Sequence, residues 1–252
     1  MHRIVLIAML IASPALADDD ACFELGGQGI APCATPKGKV ALESNLVDWT
    51  RDGHGADRQD TTALAASIAR IGLGALTEAR VAWTPLILDR PIGGPTTRGI
   101  GDLTLGAKHQ FGKDAPIGLA LQVTLPTASN GVGQGTWSAT AIVPMQFELS
   151  KTVSLDLQAE ADAAADQDRS GRHFAWSLVG GVELDVSETL AVVADLKRLR
   201  DDDPVGHSTA TTAGLALNRK IGHHGQVTLS GVAGLDHDAP VAEAYLGAAL
   251  LF

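Results

Sequence analysis

Aromatic side chains make up only 4% of the 252 residues, cysteine occurs twice, and outside the first 17 residues no apolar run approaches the length of a membrane-spanning helix. Such a helix needs about 20 apolar residues, so helical spanning is excluded for the rest of the chain. Two cysteines are too few for a disulfide scaffold or a cysteine-rich zinc centre. Base is also scarce: 19 Lys+Arg stand against 29 Asp+Glu, a net charge of −10. Nucleic acid is therefore not expected as a partner, because phosphate binding needs clustered base. Yet 45% of the residues are hydrophobic, and 28 are glycine. The chain is apolar on average and nowhere apolar for long.

The segment MHRIVLIAMLIASPALA, residues 1–17, has a basic start at Arg3, an apolar stretch and a small-residue ending before Asp18. That order predicts a secretory signal peptide cleaved after Ala17. Export would carry Cys22 and Cys33 into an oxidising compartment, where they are expected to pair. Residues 18–38 form a glycine-containing segment ahead of the first strand, and either a lumenal plug or a periplasmic tail fits it.

From residue 39 to 252 the sequence alternates with a period of two. Trp137, Ala139, Ala141, Val143, Met145, Phe147 and Leu149 share one parity, against Thr136, Ser138, Thr140, Gln146 and Glu148 on the other. Alternation over this length exceeds the five or six residues usual for soluble strands and matches the 9 to 11 or so of a tilted transmembrane strand. Twelve such stretches are legible, near 40–50, 60–71, 75–85, 99–111, 116–126, 136–149, 152–163, 172–184, 189–199, 208–218, 226–235 and 241–252. Connections after odd-numbered stretches are long or polar, and those after even-numbered ones are mostly short. This is the layout of an outer-membrane barrel. The predicted fold is all-β, a transmembrane antiparallel up-and-down β-barrel of about 12 strands.

The rare aromatics gain meaning from position. Trp83, Trp137 and Trp176 fall at external strand ends, and Phe111, Phe147 and Phe252 at periplasmic ends, which predicts two thin interfacial girdles. Phe252 also closes an alternating apolar run, an ending that resembles the signal read by the barrel assembly machinery. The opposite parity predicts a lumen lined by Glu78, Arg80, Asp102, Lys108, Gln122, Glu148, Asp156, Glu160, Asp162, Glu183, Asp195, Lys197 and Glu243. Acid dominates this set, which favours cations or neutral solutes over anions. Two features are irregular: Pro144 inside a strand predicts a local bulge, and the first strand changes parity between Leu46 and Val47.

Residues Gly99 to Phe111, GIGDLTLGAKHQF, followed by Leu119 to Thr127, LALQVTLPT, resemble the outer-membrane family named for the meta-pathway of phenol degradation. His109 departs from the pattern, which more often has an aromatic there. The resemblance implies a barrel that passes small, hydrophobic or aromatic compounds, and it implies no catalytic residues or cofactors.

Other readings have weaker support. His173 with Ser177, and His207 with Ser208, do not form a lipase constellation, and no Gly-x-Ser-x-Gly elbow is present. No catalytic residue and no metal site is expected: His223-His224, Asp236-His237-Asp238 and Asp201-Asp202-Asp203 read as solvated loop charge, with weak divalent bridging of the last group to lipopolysaccharide as the alternative. The expected function is an outer-membrane channel or transporter for small solutes. A filled structural or adhesion barrel is the second reading, and a soluble periplasmic β protein the third. Expected partners are membrane lipid, lipopolysaccharide, the assembly machinery and small-molecule solutes.

Overall fold

A computed structural model describes residues 21–129 and 131–252. The proposed signal peptide and its cleavage site lie outside the described residues. The strands are β1 (Val40–Asp52), β2 (Gln59–Gly72), β3 (Thr77–Trp83), β4 (Leu86–Pro91), β5 (Thr97–Gly99), β6 (Leu103–Gln110) and β7 (Gly118–Leu125). They continue as β8 (Ser138–Glu148), β9 (Val153–Ala165), β10 (Arg172–Ser187), β11 (Leu190–Asp201), β12 (Ser208–Ile221), β13 (Gly225–Gly234) and β14 (Ala242–Leu251). All pairings are antiparallel, and β1 bonds both β2 and β14, so the sheet closes on itself. β3 and β4 both pair β2 and form one barrel strand. β5 and β6 follow the same line on the next strand, pairing β4 and β3. Merging those two pairs turns fourteen segments into a twelve-stranded barrel.

The two faces invert the order of a water-soluble protein. The largest fully buried side chains include Arg70, Lys108, Glu43 and Glu78, whereas Leu121, Leu178, Leu196, Leu215, Leu229 and Leu250 are exposed. Period-two alternation sends successive side chains to opposite faces, and a closed barrel has no unpaired edge, so such a wall suits hydrocarbon outside and polar groups within. Among the described residues no helix is long and apolar enough to cross a membrane.

The alternation is broken at one level across four neighbouring strands. β1 carries an extra residue at Leu46 relative to β14. Facing it, Ala65 of β2 adopts φ 53°. The next two strands are interrupted at Thr84-Pro85 and at Ile100 to Asp102, where the Gly101 amide donates to the Thr84 carbonyl at 2.8 Å. The parity change at Leu46 and Val47 is thus one member of a line of irregularities.

Pro144 does not produce the expected bulge. The register of β8 on β9 runs unbroken through Pro144↔Gln158. The missing amide falls on the β7 side, where the Gln146 amide bonds Pro116 O and the regular ladder stops at Ile142. The barrel accommodates proline by a gap in one ladder.

Candidate functional site: a lumen occupied by the N-terminal segment

Residues 21–38 do not extend away from the barrel. Their backbone bonds side chains on β1, β3, β9, β11, β13 and β14, all on the inner face, so the segment crosses the lumen. A Cys22–Cys33 disulfide, Cα–Cα 6.1 Å, draws it into a loop around Gly26, Gly27 and Gly29. Gly26 has φ +123°, and a Cβ there would lie 2.0 Å from Asn218 Nδ2 on β12, so only glycine lets the loop pass.

One side of the loop is held by charge. Glu24 accepts from Arg80 Nη1 at 2.7 Å and Nη2 at 2.6 Å, and also from Lys108 Nζ. Arg70 donates to Glu43 at 2.7 Å and to both oxygens of Glu78 at 2.9 Å. The same guanidinium reaches the carbonyls of Cys22 at 2.7 Å and Cys33 at 3.2 Å, so it binds the wall and the disulfide loop together. Glu43 in turn accepts the amides of Glu24 and Leu25, and Glu78 that of Thr35. Three carboxylates and three cations therefore form one buried, neutral network. Burial alone would raise the Glu24 pKa, but Arg70, Lys108 and Arg80 hold it well below the ordinary carboxylate value. Breaking such a buried pair by removing one partner typically costs about 3–5 kcal/mol, since the other charge is stranded.

The opposite side is held by neutral or singly charged groups. Asp195 accepts the Gln28 amide at 2.8 Å and its Nε2 at 2.7 Å, and Thr212 Oγ1 donates to Gln28 Oε1 at 2.6 Å. Gln158 Oε1 accepts the Ile30 amide at 2.8 Å, and Gln226 donates to Leu25 O. The spaces bordered by the segment range from about 80 Å³ to about 530 Å³, the last beside Pro32, Cys33 and Gln110. A cavity of about 80 Å³ lies between Gly27, Asp156, Gln158, Glu183 and Asp195. Another of about 210 Å³ lies beside Cys22 and Cys33, and one of about 300 Å³ lies beyond Leu25, between Glu43, Ile68 and Thr104.

The residues singled out in the sequence separate into groups. Glu78, Arg80, Lys108 and Asp195 are buried against the loop. Asp156, Glu160, Asp162, Glu183, Lys197 and Glu243 lie on the same inward register and are half-buried. Gln122 is half-buried beside Thr140 and Gly106. Asp102 instead binds the external loop, accepting the amides of Ala128 and Gln134. Glu148 is exposed at the end of β8. Trp83, Trp137, Phe111, Phe147 and Phe252 are exposed, and Trp176 is half-exposed between the outward Phe174 and Leu178. Arg172 stacks over Trp137 at 3.7 Å.

Sequence reading missed Glu24, Glu43 and Arg70. Glu43 lies on the strand whose parity changes at Leu46, and Arg70 lies beyond the parallel irregularity at Ala65, so neither could be assigned a face. The signal available was a lone arginine within an otherwise uncharged stretch, Thr61 to Ile71.

The family described as "Putative MetA-pathway of phenol degradation" matches residues 26–252. The chain belongs to this family. Among solved structures it is similar to an outer membrane channel from Pseudomonas putida F1, at 14% identity and TM-score 0.69, over 88% of this chain and 98% of that one. It is also similar to the KdgM porin, at 8% identity and TM-score 0.52, over 85% and 99% of the two chains. The β domain of the Bordetella autotransporter BrkA aligns at 14% identity and TM-score 0.53, over 85% and 99%. At these identities the likeness establishes the fold, an outer-membrane β-barrel. Among curated protein sequences none matches this chain.

Proposed function

We propose that this family member is an outer-membrane channel for small solutes whose lumen is held occluded by its own N-terminal segment. The observation that carries the reading is the set of bonds from residues 24–35 to the inner wall on both sides of the barrel. A barrel with no transport role could be filled by its wall side chains alone. Here a separate segment fills it, tied at one side by ion pairs and at the other by hydrogen bonds, and such ties can be exchanged for water.

Away from the neutral network the inward register carries Asp156, Glu160, Asp162, Glu183, Asp195 and Glu243 against Lys197 and Lys220. That excess favours cationic or neutral solutes over anions. The family description points to aromatic or hydrophobic compounds as the solute class. The exposed Trp83, Trp137, Phe111 and Phe147 would seat the barrel between the two interfaces. The C-terminal Phe252, bonded back to Val40 N and O across the closing seam, would be the residue offered to the assembly machinery.

Swelling of proteoliposomes in neutral, cationic and anionic solutes tests the proposal. The variant lacking residues 18–38 is expected to support swelling in neutral and cationic solutes with little in anionic ones, and the intact protein much less in any of them. No swelling in any solute, in both the intact protein and a variant lacking residues 18–38, would leave a filled structural barrel as the better reading.

A further inference from the structure

A second cluster of charge lies at the external mouth, away from the N-terminal segment. His173 is the second residue of β10, and its ring is 5% exposed. The β10–β11 ladder pairs Ala175 with Asp201, so continuing that register sets His173 opposite Asp203 on the same inward face. On the other side β9 ends at Ala165, paired with Arg172, which leaves Asp166 diagonal to His173. Sheet register alone thus brings one imidazole and three carboxylates together from two external loops.

The distances agree with that placement. His173 Nδ1 is hydrogen-bonded to Asp166 Oδ1 at 2.8 Å and lies 3.5 Å from Asp203 Oδ2, and Nε2 lies 2.8 Å from Asp201 Oδ1. Nε2 is sealed from solvent, and the polar atom facing it is Asp201 Oδ1. Asp203 is fixed by the amides of Val205 and Gln167, both at 2.7 Å, and Asp201 Oδ1 accepts the Asp203 amide at 3.0 Å. Three carboxylates outweigh even a protonated histidine by two charges. The nearby arginines are engaged elsewhere: Arg200 with Asp202 and Thr209, Arg172 with Thr136 and Trp137, Arg169 with Gly133 O.

We propose that Asp166, His173 and Asp203 bind a divalent metal ion of the class that accepts mixed imidazole and carboxylate ligands, for which Zn²⁺ is the probe. One donor atom from each of the three residues lies within 4.8 Å of the others, close enough for small side-chain rotations to place all three about 2.0–2.2 Å from one ion. Nδ1 would be the ligand, exchanging its present bond to Asp166 for the ion, and the Nε2 proton would stay on the ring, facing Asp201 Oδ1. A carboxylate on the far nitrogen is the usual device for orienting a metal-bound histidine. Water at the mouth would complete the coordination. The site revises the reading of Asp201 to Asp203 as solvated loop charge: it would staple the 166–171 loop to the 202–207 loop, across the top of β10 and β11.

Isothermal titration of the detergent-purified protein with ZnCl₂ tests the assignment, with His173→Gln and Asp166→Asn as paired variants. Their folding is checked by heat-modifiable migration. One ion per barrel is expected in the wild type, with binding weakened at least tenfold in each variant. The expected second readout is slower proteolysis within residues 166–171 when Zn²⁺ is present, in the wild type alone. Equal Zn²⁺ binding by wild type and either folded variant would overturn the proposal, because the exposed His207 and His237 would then account for it. Absence of binding in the wild type would overturn it too.

Discussion

Arg80 holds the Glu24 carboxylate with both terminal nitrogens, at 2.7 and 2.6 Å, in a part of the lumen where neither side chain is more than 6% exposed. One of these residues belongs to the wall and the other to the segment that fills it. The pair is therefore the most direct link between barrel geometry and lumen occupancy. Replacing Glu24 by Gln keeps the shape and removes the charge, leaving Arg80 and Lys108 only their longer carboxylate contacts, to Glu78 at 3.4 and 3.5 Å. About 3–5 kcal/mol of docking free energy is expected to be lost. Single-channel conductance should rise or show frequent openings, while the barrel itself stays folded on gels.

Acid should act on the same carboxylate. The docked Glu24 titrates below its ordinary value of about 4.5, since its three basic neighbours outweigh its burial. A depressed pKa means that its contribution is fully present above the undocked value and is lost as pH falls through the docked one. Conductance is expected to be level from pH 7 to about 5 and to climb as the pH is lowered beyond about 4.5. In Glu24→Gln that climb should be much reduced, and a profile identical to wild type would separate acid opening from this residue.

The disulfide is expected to act on the loop more than on the barrel. Its closure spans 11 residues of separation, Cys22 to Cys33. By loop entropy such a link is worth about 3 kcal/mol to the ordered segment. Reduction, or Cys22→Ser with Cys33→Ser, should leave heat-modifiable migration unchanged but raise proteolysis between residues 22 and 33. The carbonyls bonded by Arg70 would lose their fixed spacing.

Gly72 tests close packing of the segment at its exit. A Cβ at this position would lie 2.0 Å from Pro36 O, a backbone atom that cannot swing aside. Gly72→Ala should displace residues 35–38 and weaken the bond from Gly38 N to Gly72 O. An overpacking cost of about 1–3 kcal/mol is expected, measured as increased deuterium exchange in that stretch.

The fold was largely legible because a lipid-facing wall forces strict alternation. The twelve predicted stretches coincide with the barrel strands, including 152–163 against Val153–Ala165 and 241–252 against Ala242–Leu251. Loop lengths were misread where the third strand continues through an interruption at Thr84-Pro85 and on to Pro91. The interior was less legible for a related reason. Parity assigns a face only while the register runs unbroken, and Glu43 and Arg70 sit next to irregularities at Leu46 and Ala65. Glu24 lies in a segment with no periodicity at all, so its partners on β3 and β6 could be found only in three dimensions. Asp102 had the right parity but is drawn to the amides of Ala128 and Gln134, a loop contact that alternation does not encode.

The central claim is that residues 21–38 close an otherwise passable lumen, and single-channel conductance in planar bilayers tests it most directly. The intact protein is compared with a variant lacking 18–38, after both are shown to migrate as folded barrels. A several-fold larger, steadily open and cation-preferring conductance is expected of the shortened barrel. Equal conductance from the two proteins would contradict the account.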